Sequence, residues 1–190
     1  MRFNCFFGFA KFAFFILGVF FLLSPGLVSA EPSLECLSAD TQIIMADGST
    51  KPVQDIEVGD KVKGQNGTNT VKSLYNHILG EQPFYSINGG RDFVTKPHPF
   101  MTEEGWKAID PISAKKWNPH LDIGKLEKGD IVFTEDGKVN VNSITPHNRS
   151  YSTPIYNFGV TGDKTYYADG YLVHNKGCDP VCDLTSCEQC

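Results

Sequence analysis

Short apolar runs alternate with turn residues from about residue 36 to residue 175. No long stretch shows the helical period of about 3.6 residues. The runs are rich in Val, Ile, Tyr, Phe and Thr, as in "TQIIM", "FYSI", "DFVT", "DIVF", "PIYNFGV", "TYYA" and "GYLV". Asp-Gly pairs, which favour tight hairpins, stand at Asp47-Gly48, Asp136-Gly137 and Asp169-Gly170. The pattern predicts an all-β domain, a sandwich or barrel-like arrangement of many short strands.

The first thirty residues follow a different pattern. Arg2 and Lys11 precede the apolar run "FAFFILGVFFLL", which Pro25 and Gly26 break before the small residues that end at Ala30. This order is typical of a secretory signal peptide over residues 1–30, so the sequence predicts a secreted or periplasmic protein. The alternative is an uncleaved signal-anchor, and it is the one membrane contact that the sequence suggests. The unbroken run is shorter than the roughly twenty residues that a spanning helix needs.

A weak internal repeat relates two parts of the β region. "IEVGDKV" (56–62) and "LEKGDIV" (126–132) share the pattern apolar-Glu-x-Gly-Asp-x-Val at an offset of seventy residues. Gly makes a turn and Asp caps it, so the motif has a local structural explanation. Its two copies indicate two similar β subunits about a pseudo-twofold axis. Asp60 and Asp130 are therefore interpreted as structural residues.

Composition excludes some partners and cofactors. The chain has a formal net charge of −5 and no basic patch, which argues against nucleic-acid binding. His77, His120 and His147 lack the spacing of a metal site, and no motif indicates a cofactor. Trp106 and Trp117 are interpreted as core or subdomain-contact residues.

The cysteines fall into two groups. Apart from Cys5 in the predicted signal peptide, four crowd into the end of the chain, over residues 178–190, and Cys36 stands alone at the start of the β region. In an exported protein the four are expected to form two disulfides, with three pairings open, and a zinc site is the less favoured alternative. A lone thiol is either an intermolecular linker or a reactive group. We expect Cys36 to be an accessible thiol outside the tail disulfides.

Four segments in the same order resemble the Hint family, which includes inteins, hedgehog autoprocessing domains and bacterial intein-like modules of toxin proteins. They are "CLSADTQIIMADGSTKPVQDIEVGDKV", "TKPHPFMTEEGWKAID", "LEKGDIV" and "IYNFGVTGDKTYYADGYLVHN". The resemblance implies a horseshoe-shaped, pseudo-twofold all-β fold over residues 36–175 that brings both domain ends to one site. Residues 31–35 would then be a short N-terminal flank, and 176–190 a cysteine-rich tail.

The resemblance also implies self-directed chemistry at the start of the domain. Cys36 would attack the carbonyl of Glu35 in an N–S acyl shift that converts the Glu35–Cys36 peptide into a thioester. His98 would protonate the departing Cys36 nitrogen as a general acid, and Thr95 would hold the scissile amide by hydrogen bonding. The substrate is then the chain's own flanking peptide bonds.

At the other end, the resemblance implies that Asn175 cyclises. Its side-chain nitrogen would attack its own carbonyl, and His174 would polarise that carbonyl or protonate the leaving nitrogen. The reaction would release the tail that begins at Lys176. Splicing needs Cys, Ser or Thr directly after the Asn, and Lys176 stands there, so cleavage is favoured over splicing.

Two departures from the family pattern suggest a slow reaction. Asn157 stands where many members have Asp, and Lys164 or Thr165 stands where many have His. The alternative function is therefore a non-reactive secreted Hint fold that acts as a carrier or binding module for the tail. A third and less favoured class is a cysteine hydrolase that uses Cys36 and His98 on other proteins.

Overall fold

The computed structural model describes residues 33–175. Its strands are β1 (Leu37–Ser38), β2 (Gln42–Ile44), β3 (Thr50–Pro52), β4 (Lys61–Gly64), β5 (Gly67–Ile78), β6 (Phe84–Ile87), β7 (Val94–Thr95), β8 (Phe100–Thr102), β9 (Gly105–Ala108), β10 (Ile123–Lys125), β11 (Ile131–Thr134), β12 (Gly137–Asn140), β13 (Ile144–His147), β14 (Pro154–Val160), β15 (Thr165–Ala168) and β16 (Tyr171–His174). A 3-10 helix spans Val53–Asp55 and an α-helix, α1, spans Pro111–Trp117. The predicted all-β class is confirmed.

The predicted signal peptide over 1–30 and the disulfides predicted for the tail over 176–190 lie outside the described residues. Between residues 33 and 175, no helix combines the length and the apolar character that crossing a membrane requires.

The described strands form two sheets. One has seven strands in the order β13-β6-β7-β1-β14-β5-β4, and the other has nine, in the order β10-β9-β8-β11-β16-β15-β2-β3 with β12 beside β11. Neighbouring strands are antiparallel apart from the β9–β10 pair. The largest group of buried apolar side chains includes Leu37, Val94 and Phe158 of the first sheet and Ile43, Phe100 and Val173 of the second. One core therefore supports both sheets.

The two copies of the Gly-Asp motif have the same backbone hydrogen bonds. In the first, Gly59 N donates to Val71 O at 3.0 Å and Val71 N donates to Asp60 O at 2.9 Å. In the second, Gly129 N donates to Val141 O and Val141 N donates to Asp130 O, both at 2.8 Å. The motif glycines have φ angles of 99° and 102°, a region that favours glycine. The repeat is thus a structural duplication.

The motif carboxylates are also equivalent. Asp60 accepts the Glu57 backbone N–H at 2.9 Å and a Lys51 ammonium at 2.8 Å. Asp130 accepts the Glu127 backbone N–H at 2.8 Å and a Lys107 ammonium at 2.6 Å. Each carboxylate caps its own turn and ties it to a neighbouring hairpin. Their interpretation as structural residues therefore agrees with their contacts.

Helix α1 follows β9 and is held at both ends. Asp110 caps its first turn, accepting the Ser113 N–H at 3.1 Å, and Pro111 occupies the first helical position. At its other end, Asn118 N donates to Ala114 O at 2.9 Å. The helix is too short to give a clear periodic signal in the sequence, and its last residues reach the segment before Cys36.

The sheet order brings the two ends of the domain close together. β1 begins directly after Cys36 and lies between β7 and β14. β16 ends at His174 and pairs with β15 and β8. Asn157 on β14 and Tyr166 on β15 share a hydrogen bond of 3.3 Å, which links the sheets beside both ends.

Candidate active site

Cys36 is buried, contrary to the accessible thiol that we expected from the sequence. Its exposed fraction is 2 %, and it belongs to a small apolar cluster with Leu79, Phe84 and Ile155, against which Leu34 packs. The sequence could not reveal this burial, because the covering residues come from distant strands. An external protein substrate could not reach the sulfur without moving this cluster, which argues against a hydrolase acting on other chains.

Thr95, at the end of β7, holds the backbone on both sides of the Glu35–Cys36 bond. Its Oγ1 accepts the N–H of Cys36 at 2.8 Å and lies 2.6 Å from the carbonyl oxygen of Leu34, to which it donates. The Thr95 backbone N–H also donates to Cys36 O at 3.0 Å. The Cys36 amide nitrogen is therefore fixed in position by a buried hydroxyl.

Asn157 contacts the carbonyl that Cys36 would attack. Its Nδ2 donates to Glu35 O at 2.7 Å, while its Oδ1 accepts the backbone N–H of Phe158 at 2.8 Å. The second bond fixes the orientation of the amide, so a donor faces the Glu35 carbonyl. A donor at this position stabilises negative charge that develops on the oxygen. The sequence suggested only a lost Asp, and the structure gives Asn157 a contact that an ionised Asp could not make.

His98 is fully buried and connected to Asn157 through Tyr166. The Tyr166 hydroxyl donates to Asn157 Oδ1 at 3.3 Å, and His98 Nε2 lies 3.3 Å from the same hydroxyl. Nε2 therefore carries the hydrogen and donates it, which leaves the lone pair on Nδ1. Among the described residues, Nδ1 has no hydrogen-bond partner. The His98 backbone N–H donates to Thr95 O at 3.2 Å, so the two residues form one turn.

Burial, together with the nearby His174, lowers the pKa of His98 to about 3. The ring is therefore neutral near neutral pH, because both effects disfavour the cation. A neutral imidazole has no spare acidic proton at the start of the reaction. If His98 acts as the general acid of the sequence hypothesis, it must first receive a proton, and its unpartnered Nδ1 can accept one.

His174 contacts the carbonyl at the other candidate cleavage site. Its Nδ1 lies 2.7 Å from the backbone oxygen of Asn175, and since a carbonyl accepts, Nδ1 carries the hydrogen. The ring meets Trp106 edge to face, with centroids 5.1 Å apart. Burial lowers the pKa of His174 to about 4, with the hydrogen bond to Asn175 opposing that shift and Lys164 adding to it. The ring is thus a neutral donor.

Lys164 and Thr165, where many family members have a histidine, hold the backbone at this end. Lys164 adopts a left-handed φ of 62°, and its carbonyl accepts the Asn175 N–H at 2.8 Å. The Thr165 hydroxyl accepts the backbone N–H of Gln65 at 2.7 Å and donates to Asp163 at 2.8 Å. Lys164 thus positions Asn175, and Thr165 holds the supporting loop. Neither side chain has the chemistry of an imidazole.

Strand β14 lies beside both ends. Asn157 and Gly159 point to the same face because they are two residues apart on one strand. A methyl group on Gly159 would clash with Ser73 Oγ at 2.6 Å and would be in ordinary contact with Asn175 Nδ2 at 3.7 Å, so the Asn175 amide lies beside this position. One strand therefore contacts the Glu35 carbonyl and lies beside the Asn175 side chain.

The segment before Cys36 is held by the end of α1. Trp117 Nε1 donates to Ser33 O at 2.8 Å, and Asn118 Nδ2 donates to Glu35 Oε2 at 2.6 Å. The sequence placed Trp117 in the core or at a subdomain contact and gave Asn118 no role. No local motif marks these contacts, since they join residues more than eighty positions apart.

Comparisons with known proteins agree with this architecture. Residues 36–89 match the family model described as Hom_end-associated Hint. No curated protein matches the chain.

Solved structures give a longer match. The gp41-1 intein is 21% identical with a TM-score of 0.58, and the match covers 75% of this chain and 100% of that one. A bacterial intein-like domain from Clostridium thermocellum is 25% identical with a TM-score of 0.59, over 75% and 100% of the two chains. A DnaB intein from Synechocystis sp. is 19% identical with a TM-score of 0.53, over 75% and 99%. Together these matches show that the chain has the Hint fold of inteins and bacterial intein-like domains, a fold that is consistent with autoprocessing as a general class of function.

Proposed function

We propose that this protein cleaves its own chain once at each end of the Hint domain, through a thioester at Glu35–Cys36 and through cyclisation of Asn175. The observation that carries the proposal is the way the Glu35–Cys36 peptide is held. Asn157 donates to its carbonyl oxygen at 2.7 Å and Thr95 accepts its N–H at 2.8 Å. Such contacts at both polar atoms orient the peptide for attack by the next side chain.

At the first bond, His98 Nδ1 takes the proton of the Cys36 thiol, and the thiolate attacks the carbonyl carbon of Glu35. The Asn157 amide stabilises the negative charge on the carbonyl oxygen. As the intermediate collapses, the carbon–nitrogen bond breaks and His98 returns the proton to the Cys36 nitrogen. A thioester and a new amine result, and water or another nucleophile then releases the fragment ending at Glu35.

At the second bond, Asn175 Nδ2 attacks the backbone carbonyl carbon of the same residue. His174 Nδ1–H donates to the carbonyl oxygen and stabilises its charge. The bond to the Lys176 nitrogen then breaks, and the proton that Nδ2 loses ends on that nitrogen. The products are a succinimide at Asn175 and a peptide that begins at Lys176.

Cleavage is proposed over splicing because Lys176 carries no hydroxyl or thiol that could accept the acyl group of the thioester. The released tail would contain four cysteines. After export led by residues 1–30, these would pair in two disulfides. The substrate is the protein's own chain, and each site acts once.

The test is intact mass spectrometry of the folded full chain, incubated near neutral pH for a day with and without hydroxylamine. Hydroxylamine intercepts thioesters, so we expect it to release a fragment ending at Glu35. Without it, we expect a peptide that begins at Lys176. Equal release of the first fragment from a Cys36→Ala chain would indicate contaminating protease. A chain intact to Cys190 with Asn175 unmodified would contradict the proposal and leave the non-reactive carrier.

A further inference from the structure

We infer that the end of α1 is a binding subsite for the peptide segment before the scissile bond and that it selects a hydrogen-bond acceptor side chain at position 35. This inference rests on the proposed cleavage at Cys36. We call the subsite, formed by Trp117 and Asn118, the flank pocket. Both residues are buried, with exposed fractions of 7 % and 2 %.

The flank pocket holds the backbone three residues before the nucleophile. Trp117 Nε1 donates to the Ser33 carbonyl at 2.8 Å. Every residue type has this carbonyl, so the contact fixes the path of the segment and not its sequence. Thr95 adds a second backbone contact at the next residue, because its hydroxyl donates to Leu34 O at 2.6 Å.

Selectivity arises at residue 35. The Glu35 side chain is only 2 % exposed although it precedes the domain and takes no part in its sheets. Its Oε2 accepts a hydrogen bond of 2.6 Å from Asn118 Nδ2. The same nitrogen lies 3.3 Å from Ala114 O, which holds the amide so that its hydrogens point at these two acceptors. An acceptor therefore fits at position 35, and an ammonium does not.

The contacts have a consequence for the reaction. Asn157 donates to the carbonyl of the same residue, Glu35, whose side chain Asn118 holds. A side chain at position 35 that is expelled from the pocket would rotate or shift that carbonyl. Loss of one buried hydrogen bond typically corresponds to about a tenfold change in an equilibrium. The flank pocket is therefore a positioning site that acts through the scissile carbonyl.

The first experiment compares substitutions at position 35 in the full chain, with hydroxylamine-induced release measured by mass. Glu35→Gln keeps an acceptor, so its rate should stay within about threefold of the natural chain, whereas Glu35→Lys should be at least about tenfold slower. Adding Asn118→Asp to Glu35→Lys supplies a carboxylate for the ammonium and should recover most of the rate. If Asn118 had only a structural role, Asn118→Asp would not restore the rate of the Glu35→Lys chain. Equal rates for Gln and Lys would overturn the inference.

The second experiment does not depend on cleavage. In full chains that carry Cys36→Ala, amide hydrogen exchange of the segment 33–36 should be slow, and Trp117→Phe should accelerate it about tenfold, since the phenyl ring keeps the packing but loses the N–H. Lys116→Ala, exposed on the same helix, is the matched control and should change nothing.

The two experiments separate the inference from the proposed function. If hydroxylamine releases nothing from the natural chain but Trp117→Phe accelerates exchange, then the pocket exists and the cleavage proposal fails. If exchange of the segment is the same in Trp117→Phe and in Lys116→Ala, the pocket is overturned, whatever the cleavage rates.

Discussion

The two candidate cleavage bonds are held in different ways. The Glu35–Cys36 peptide is contacted by side chains from β7 and β14, and the end of α1 holds the Glu35 side chain; all three are remote in sequence. The Asn175 carbonyl is contacted by His174, its own neighbour, at 2.7 Å. The first site is assembled by tertiary structure and the second is largely local. Substitutions far along the chain should therefore affect the first bond more than the second.

The two sites nevertheless share parts of the molecule. His174 contributes to the lowered pKa of His98, so the two rings are close enough to interact electrostatically. Strand β14 lies beside both ends, because Asn157 donates to the Glu35 carbonyl and Gly159 is adjacent to the Asn175 amide. Substitutions that address one end at a time test whether the two bonds react independently.

The largest effect should come from removing either nucleophile. Cys36→Ala should abolish hydroxylamine-induced release of the fragment ending at Glu35 while leaving release of the peptide from Lys176 within a few-fold. Asn175→Ala should do the reverse, because each bond has its own nucleophile. Intact mass over a day measures both products in one sample. If either variant stops both reactions while remaining folded, the two sites are coupled and the two bonds do not react independently.

Replacing His174 should slow the second bond alone. His174→Ala removes the donor to the Asn175 carbonyl, and a positioned proton donor contributes roughly 10²- to 10⁴-fold. Trp106→Phe is the matched control, since it keeps an aromatic edge contact with the ring. The rate of appearance of the peptide from Lys176 is the measurement. An unchanged rate in the Ala variant would remove His174 from the mechanism.

The reaction at the Glu35–Cys36 bond should depend on the N–H that Asn157 donates to the Glu35 carbonyl. Asn157→Asp replaces the N–H at the Glu35 carbonyl with an acceptor, and loss of one such donor lowers rates by about 10²- to 10³-fold. Thioester interception by hydroxylamine gives the rate. Tyr166→Phe, which removes a hydroxyl one step further from the carbonyl, should have a smaller effect. If Asp reacts as fast as Asn, the contact is not catalytic.

The buried histidines predict a loss of stability in acid. In the folded chain, the pKa of His98 is about 3 and that of His174 is about 4, against an ordinary value of 6.5. Between the ordinary pKa and these lowered values, the unfolded chain binds more protons than the folded chain. The free energy of unfolding therefore falls as the pH drops from about 6.5 toward 4. Each histidine adds up to about 1.4 kcal/mol per pH unit in that window. Urea unfolding at several pH values measures the slope.

A control for that prediction is His98→Gln, which should reduce the slope by about half, because Gln cannot bind the proton and His174 still contributes. A free energy of unfolding that stays constant between pH 7 and pH 4 in the natural chain would show that the folded chain does not lower the pKa values of the two histidines, contrary to the effect expected of burial.

The smallest effect is expected at the duplicated turns. Asp60→Ala or Asp130→Ala removes a carboxylate that caps a Glu N–H and pairs with a Lys, so each should reduce the free energy of unfolding by about 1 kcal/mol. Both cleavage rates should stay the same. Denaturant unfolding and the mass assay measure the two properties. A selective loss of either cleavage would mean that these residues do more than hold a turn.

Part of this organisation could be predicted from the chain alone. The all-β class follows from short apolar runs with Asp-Gly turns, and the structural role of Asp60 and Asp130 follows from the repeated motif, because both are local patterns. The positions of Cys36 and Asn175 at the domain ends also come from motifs. The burial of Cys36 could not be predicted, since Leu79, Phe84 and Ile155 cover it only after the sheet forms.

The strands, the duplicated turn and the candidate nucleophiles could be inferred from the sequence, because turn chemistry, periodicity and short motifs act over a few neighbouring residues. The sequence could not indicate that Asn157 donates to the Glu35 carbonyl, that His98 is neutral, or that α1 holds the flank. Hydrogen bonds between residues about eighty to one hundred and twenty positions apart, and the desolvation that lowers a pKa, exist only once distant strands pack together.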